Sequence, residues 1–261
     1  GRQYRGDWYL WNGIFHDKKT IDEWTHLRLP VEERLEKLSE FLKRLEGLLD
    51  PVLSIPGLFE KTWQSMGYVF FSKCLKKNMA FIQYVVEFFY DYIVRLIKTL
   101  QHYGAKIFLI ADDCAYKNRL FLPKDQWKTL FFEKYKRIVQ TVHEANHIAI
   151  IHSDGDISNI IDLFADIGFD AVQSLEPMAG VDIFSLFDKY SREISFIGNL
   201  DMSLLGFGTI SQVKRYVSKL ISTAKQSDNF LAISPTQQID ASTRVENVHA
   251  MLQTVKNYNL R

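Results

Sequence analysis

Segment 148–156 constrains the fold of this 261-residue chain more than any other part of its sequence. The four apolar residues 148–151 end abruptly at a polar turn that contains His152 and Asp154, and residues 157–168 then show the apolar spacing of a helix. A short apolar run that ends in polar residues and continues into a helix is typical of a buried parallel β-strand. Because side chains alternate along a strand, His152 and Asp154 can face the same side. We therefore predict a functional site at this turn.

The rest of the chain repeats the same alternation of strands and helices. Further strands are predicted at 51–55, 106–111, 168–175, 194–199 and 230–234. Helices are predicted over 31–49, 79–103, 124–145, 181–190, 210–226 and 242–257, and a short strand or hairpin within 8–15. Strands that alternate with helices of this length form parallel βαβ units. Since no linker or change of composition interrupts the pattern, we predict a single domain over residues 1–261.

Composition and charge argue against several classes of protein. The net charge is +1 and the basic residues are interleaved with acidic ones, so the sequence gives no electrostatic reason to bind nucleic acid or a membrane surface. Two cysteines in apolar surroundings, Cys74 and Cys114, predict buried free thiols in a reducing compartment. No signal peptide and no charge-free apolar run long enough to span a bilayer are recognised. We expect a cytoplasmic protein.

Five of the predicted strands end in polar residues, namely Asp112 and Asp113, His152 and Asp154, Glu176, Asn199 and Asp201, and Ser234. In a (β/α)8 barrel these carboxyl ends converge on one mouth, whereas in an open sheet only those near a switch point lie together. The two adjacent aspartates face opposite ways in extended backbone. One of them is therefore predicted to enter the site, and the other to cap a loop or pair with Lys117.

Several of these residues also have a structural interpretation. His152 is either a metal ligand or general acid/base, or a structural histidine. Asp201 belongs to the site or forms the N-cap of the segment after it, and Glu246-Asn247 is favoured as an internal polar anchor. No G-x-G-x-x-G motif follows a predicted strand and there is no P-loop, which argues against nucleotide binding.

Taken together, six segments of the chain resemble the uroporphyrinogen decarboxylase superfamily: 111–115, 152–155, 175–182, 198–201, 205–209 and 246–247. That superfamily contains the decarboxylase and the methyltransferases that move a methyl group between a corrinoid and a thiol. The resemblance runs from about residue 55 to the end and leaves 1–50 poorly matched. It implies an α/β fold, a (β/α)8 TIM-type barrel that is shortened or rearranged at the N-terminus. Such a barrel would expose strand edges, which a homodimer or an N-terminal segment would cover.

The resemblance departs from the family pattern at the metal ligands. The methyltransferases hold zinc with a His-x-Cys pair at the position of His152 and Asp154, and with a second cysteine near Gln237. Here an aspartate and a glutamine take these places. His152 and Asp154 remain candidate ligands for a divalent metal such as zinc, but glutamine is a poor third ligand. The arginine-bearing N-terminal motif of the decarboxylase is not found either.

The resemblance therefore favours a methyltransferase that moves a methyl group between a corrinoid, free or on a partner protein, or another donor, and an acceptor. The predicted catalytic residues are His152, Asp154, Asp112, Asp113 and Glu176, and the predicted substrate-binding residues are Asn199, Asp201, Ser234, Gln237 and Lys117. One alternative is decarboxylation of a porphyrinogen, in which a carboxylate such as Asp112 stabilises a protonated pyrrole. Another is a non-catalytic barrel that binds a tetrapyrrole or a protein partner.

Overall fold

The structure is a computed structural model that describes residues 13–23 and 29–259, and it divides into two compact units. The first unit comprises the described residues up to Asp112 together with Gln126–Ile148. The second comprises Asp113–Asp125 and the described residues from Ala149 onwards. The single domain over residues 1–261 stays a prediction.

The first unit has a pair of parallel strands packed with helices. β1 (Val52–Pro56) pairs with β2 (Ile107–Ala111) in a register that joins Val52 to Ile107 and Pro56 to Ala111. Its helices are α1 (Lys18–Asp22), α2 (Glu32–Leu45), α3 (Leu58–Met66), α4 (Tyr68–Lys77), α5 (Met79–His102) and most of α6 (Lys124–His143). The longest helix, α5, buries a continuous apolar stripe at the spacing of three and four residues that an amphipathic helix requires.

The second unit contains a four-stranded parallel sheet in the order β5 (Ile148–Ser153), β6 (Ala171–Ser174), β7 (Ser195–Leu200) and β8 (Leu231–Pro235). Its helices are α7 (Ile161–Ile167), α8 (Ile183–Lys189), α9 (Met202–Phe207), α10 (Ile210–Gln226) and α11 (Val245–Asn259). The register of β5 against β6 places His152 opposite Gln173 and Ser153 opposite Ser174. This register sets two polar pairs at the carboxyl ends of neighbouring strands.

All six strands predicted beyond residue 50 are present, and the differences are local. The sequence pattern missed a small antiparallel hairpin, β3 (Ala115–Tyr116) and β4 (Arg119–Leu120), because its strands have two residues each. Helix α2 ends at Leu45 rather than at 49, since Gly47 takes a left-handed conformation with a φ of 78°. In the predicted strand 8–15, residues 13–15 form no strand, and the remainder lies outside the described residues.

Within the described ranges, none of the helices combines the length and the apolarity that crossing a bilayer would require.

Asp112 is fully buried and caps helix α3. Its Oδ2 accepts a hydrogen bond from the Phe59 N–H at 3.0 Å, and its Oδ1 accepts one from the Glu60 N–H at 2.6 Å. The hydroxyl of Tyr135 also donates to Oδ2 and accepts from the Leu58 N–H. The backbone N–H groups of residues 58–60 are donors that a helix leaves unsatisfied at its N-terminus.

The N-cap position itself explains why a distant carboxylate is needed. Gly57 has no side chain to cap α3, and a Cβ atom at this position would lie 2.1 Å from the Cβ of Asp112. The aspartate therefore fills the place that a capping side chain would take. The structure gives Asp112 a structural role in place of the catalytic one predicted from the sequence, because both of its oxygens are engaged inside the core.

We predict that Asp112→Ala lowers the free energy of unfolding by about 3 kcal/mol, since it leaves buried N–H groups without an acceptor. Urea-induced unfolding followed by circular dichroism measures the loss. The matched control in the same unit is Asn78→Ala, which removes the exposed N-cap of α5 and should cost about 1 kcal/mol. Equal losses in the two variants would contradict the capping role of Asp112.

Candidate metal centre at the carboxyl ends of β5 and β6

Asp113, His152 and Asp154 form a three-residue cluster in the second unit. The His152 Nε2 atom lies 3.7 Å from Asp113 Oδ1 and 3.8 Å from Asp154 Oδ1. Both separations are longer than a hydrogen bond, so the imidazole nitrogen does not bond directly to either carboxylate. Their side chains are 36%, 23% and 34% exposed, respectively, which leaves the cluster accessible to a small ligand.

Gln173 orients the imidazole of His152. The two residues are paired in the β5–β6 register, and the Gln173 Oε1 atom is hydrogen-bonded to His152 Nδ1. A carbonyl oxygen can only accept, so Nδ1 carries the proton and, in the neutral imidazole, Nε2 has the lone pair. That lone pair faces two carboxylates. Metal-binding histidines usually donate their other ring N–H to an acceptor in this way, which leaves the opposite nitrogen free to bind the ion.

Each carboxylate of the cluster accepts a hydrogen bond from a neighbouring group. Asp113 Oδ1 accepts from the backbone N–H of Asp154 at 2.9 Å, and Asp154 Oδ1 accepts from the Ser174 hydroxyl at 2.8 Å. Burial raises the pKa of Asp154 above its ordinary value, and the charge of Asp113 acts in the same direction. The Ser174 hydroxyl and His152 lower that pKa but do not cancel the effect of burial.

The turn after β5 is fixed by glycine geometry and by a second carboxylate. Gly155 has a φ of 81°, and a Cβ there would approach the backbone of Ala115 to 2.9 Å, so a side chain would fit poorly. Its N–H donates to Glu176 Oε2 at 2.8 Å, and the Gln237 amide donates to Glu176 Oε1 at 2.9 Å. Glu176 thus ties the turn that carries Asp154 to the loop after β8.

The carboxyl end of β6 has an unusual backbone. Ser174 and Leu175 have φ values of 94° and 59°, a region that residues other than glycine seldom occupy. The buried Asn199 supports this end, because its amide donates to the Leu175 carbonyl at 2.7 Å. The Tyr216 hydroxyl donates in turn to Asn199 Oδ1 at 2.7 Å. Burial, with the charges of Asp201 and Asp182, raises the pKa of Tyr216 to about 12, so the phenol stays protonated as a donor.

The remaining predicted substrate-binding residues have local roles in the structure. Asp201 is the N-cap of α9 and accepts from the Ser203 N–H at 2.6 Å, which is the structural alternative predicted for it. The Ser234 hydroxyl donates to the Pro235 carbonyl at 2.9 Å. Lys117 occupies the β3–β4 turn with a φ of 47°, and its ammonium lies 5.9 Å from the centre of the Tyr116 ring.

The donor set of the cluster fits a divalent metal ion. One imidazole nitrogen and two carboxylates are established ligands for zinc, and the three candidate ligand atoms lie within 4.8 Å of one another. Two ligands on a tetrahedral zinc ion at about 2.1 Å are about 3.4 Å apart, which is close to the separations around His152 Nε2. Asp113 is therefore the candidate third ligand. Gln237, which the resemblance places near a family cysteine, donates instead to Glu176.

Two residues that complete the cluster were missed by the sequence analysis. Gln173 and Ser174 lie inside the predicted strand 168–175, and the apolar residues around them predict only a buried strand. The available signal was the polarity of two consecutive residues just before Glu176. Their contacts with His152 and Asp154 depend on the pairing of β5 with β6, which the sequence does not specify.

A family model identifies the protein family to which this chain belongs. The model of the uroporphyrinogen decarboxylase (URO-D) family matches residues 14–258. The chain belongs to the URO-D family. The resemblance predicted from the sequence is confirmed. The URO-D family and the similar solved structures are TIM barrels, so the predicted α/β fold class of (β/α)8 type is confirmed as well. A comparison with curated proteins finds no match.

Solved structures with the same fold come from several enzyme classes. A methyltransferase from Methanosarcina mazei has a TM-score of 0.71 and 18% identity, covering 86% of this URO-D chain and 64% of its own. A B12-independent methionine synthase from Shewanella sp. W3-18-1 has a TM-score of 0.57 and 11% identity, covering 87% and 67%. The 3-keto-D-glucoside 4-epimerase from E. coli has a TM-score of 0.52 and 10% identity, covering 88% and 85%.

These likenesses concern the fold, because the identities are low. The URO-D chain also spans 64% of the length of the Methanosarcina methyltransferase. The reaction of the complete neighbour is therefore not transferred to it by similarity, and the function has to be argued from the site.

We predict that Gln173 determines the tautomer of His152. In chelator-treated protein at alkaline pH, nitrogen-15 spectra of the imidazole should show a protonated Nδ1 in the wild type. In Gln173→Leu the proton should move mainly to Nε2, because the acceptor is lost. Ser174→Ala is the matched control, since the Ser174 hydroxyl bonds to Asp154 and the tautomer should persist. A protonated Nε2 in the wild type would contradict the proposed orientation.

Proposed function

We propose that this URO-D-family chain is an enzyme of the methyltransferase branch, with a divalent metal, zinc in the first instance, held by Asp113, His152 and Asp154. The observation that carries the proposal is the orientation of the cluster. The imidazole is turned by Gln173 so that Nε2 faces two carboxylates at 3.7 and 3.8 Å. A structural histidine would have no need of two partly exposed carboxylates on its lone-pair side.

The chain's own residues fall into two groups in this proposal. Asp113, His152 and Asp154 hold the ion, while Gln173 and Ser174 orient the ligands through hydrogen bonds. Such orienting partners usually contribute 10- to 100-fold to metal affinity, as a rough guide. A divalent metal bound here would act as a Lewis acid that lowers the pKa of the acceptor group and orients it.

Glu176 is the proposed proton acceptor. It lies outside the ligand set, yet one of its oxygens contacts the Gly155 N–H, next to the ligand Asp154. Its other oxygen accepts from Gln237, which fixes the plane of the carboxylate. Gln237 is therefore a positioning residue in this proposal, and not the metal ligand that its place in the family pattern suggests.

The proposed methyl donor is a methylated corrinoid, free or carried by a partner protein. Support comes from the URO-D family match and from the likeness in fold to a methyltransferase. The B12-independent methionine synthase among the similar folds means that a donor other than a corrinoid is also compatible with this architecture. A homodimer stays a proposal from the sequence.

Decarboxylation of a porphyrinogen receives less support. The carboxylate proposed to stabilise a protonated pyrrole was Asp112, and this residue is fully buried and engaged at the N-terminus of α3. Uroporphyrinogen consumption by the purified protein would nevertheless reverse the order of the two reactions, and it provides the direct test of the alternative.

We predict stoichiometric divalent metal in the wild-type protein purified without chelators. The His152→Ala, Asp154→Ala double variant should lose that metal, because it removes two of three ligands. Elemental analysis measures both. Wild-type protein that contains no metal and takes up no Zn²⁺ or Co²⁺ on loading would rule out the proposed centre. A tetrapyrrole titration would then distinguish a binding protein from a metal-free enzyme.

We further predict that Glu176→Gln keeps the metal but slows methyl transfer by about 100-fold, the low end of general acid–base contributions. The substitution preserves shape and removes the proton acceptor. Loss of methylcobalamin, followed by its absorbance in the presence of candidate acceptors, measures the rate. Unchanged turnover in Glu176→Gln would exclude this residue as the base, and loss of metal would assign it to the ligand set.

A further inference from the structure

We propose that the acceptor activated at the Asp113–His152–Asp154 cluster is a hydroxyl compound, an alcohol or a phenol, and not a thiol. This inference rests on the proposed function. Its first support is the chemistry of the donors, which are one imidazole nitrogen and two carboxylates. Among the described residues the ligand group contains no sulfur, and both cysteines, Cys74 and Cys114, are buried outside it. A set of nitrogen and oxygen donors favours a further oxygen ligand over a soft sulfur one.

The hydrogen bonds on the carboxylates strengthen this preference. Asp113 Oδ1 accepts from the Asp154 N–H, and Asp154 Oδ1 accepts from the Ser174 hydroxyl. A carboxylate oxygen that already accepts a hydrogen bond donates less electron density to a cation. An ion held by this set keeps more of its positive charge and is a stronger Lewis acid.

Strong Lewis acidity matters for a hydroxyl compound and much less for a thiol. A cysteine-like thiol ionises at a pKa of about 8.5, whereas the pKa of bulk water is about 15.7 and aliphatic alcohols lie close to it. A thiol needs little help from a metal to ionise near neutral pH. An alcohol needs its pKa lowered by several units, which a divalent ion with hydrogen-bonded carboxylate ligands would supply. The cluster therefore has the properties that oxygen activation requires.

The proposed methyl transfer conserves atoms and charge. An oxygen lone pair of the acceptor forms the new carbon–oxygen bond to the methyl group, and the donor–methyl bond breaks with its electron pair left on the corrinoid. The hydroxyl proton passes to Glu176, which contacts the same turn as Asp154, and then to solvent. The products are a methyl ether, the demethylated donor and one proton.

The test compares phenol with thiophenol as ligands of the cobalt-loaded protein. The purified chain is stripped with chelator and loaded with Co²⁺, and its visible spectrum is followed during each titration. Phenol should perturb the cobalt bands at a half-saturating concentration about tenfold below that of thiophenol, a difference of about 1.4 kcal/mol. At the concentration of phenol that gives half-saturation, thiophenol should produce no sulfur-to-cobalt charge-transfer band.

The Asp154→Cys variant provides the positive control, because it places a thiolate in the ligand set at the same position. It should show the charge-transfer band without added thiol, which proves that the band would be visible. A band from thiophenol in the wild type at lower concentration than the response to phenol would overturn the inference and leave the metal centre intact. A response to neither compound would also overturn it. Failure to bind Co²⁺ at all would instead contradict the proposed function.

Discussion

The parallel pairing of β5 with β6 is the constraint on which the candidate site depends. This register sets His152 beside Gln173 and Ser153 beside Ser174. Paired residues on neighbouring parallel strands present their side chains on the same face, so the amide of Gln173 reaches the imidazole of His152. A shift of one residue would turn every side chain of β6 to the other face and would separate Gln173 from His152. The proposed metal centre therefore rests on strand register as much as on the identity of its ligands.

The candidate metal centre has nitrogen and oxygen donors and no thiolate. The resemblance implies family cysteines at the position of Asp154 and near Gln237, and Asp113 is the candidate third ligand. The glutamine has a different use, because it holds Glu176 against the turn. Replacing sulfur by hydrogen-bonded carboxylates leaves the formal charge of the ligand set the same and changes its hardness. Under the proposed function, the thiolate set and the carboxylate set would differ in the acceptor that they activate.

The adjacent aspartates show why sequence reasoning reached part of the site. Alternation along extended backbone predicted that one would face a site and the other would cap a loop, but it did not assign the two roles. The structure assigns capping to Asp112, since the N-terminus of α3 has a glycine at its N-cap and needs an acceptor from elsewhere. Asp113 joins His152 and Asp154. The deciding partner is about 50 residues away in the chain, as the Phe59–Asp112 hydrogen bond shows, and local patterns carry no information about it.

The sequence by itself determined the alternation of strands and helices, the polar ends of the strands and the family, because periodicity and turn chemistry are local properties of the chain. It also predicted His152 and Asp154 as the centre of the candidate site. The tertiary structure alone decided which carboxylate joins His152 and Asp154, that Gln173 and Ser174 hydrogen-bond to them, and which local contacts Asn199, Asp201 and Ser234 make. These roles follow from strand register and from long-range hydrogen bonds, which form between residues that are far apart in sequence.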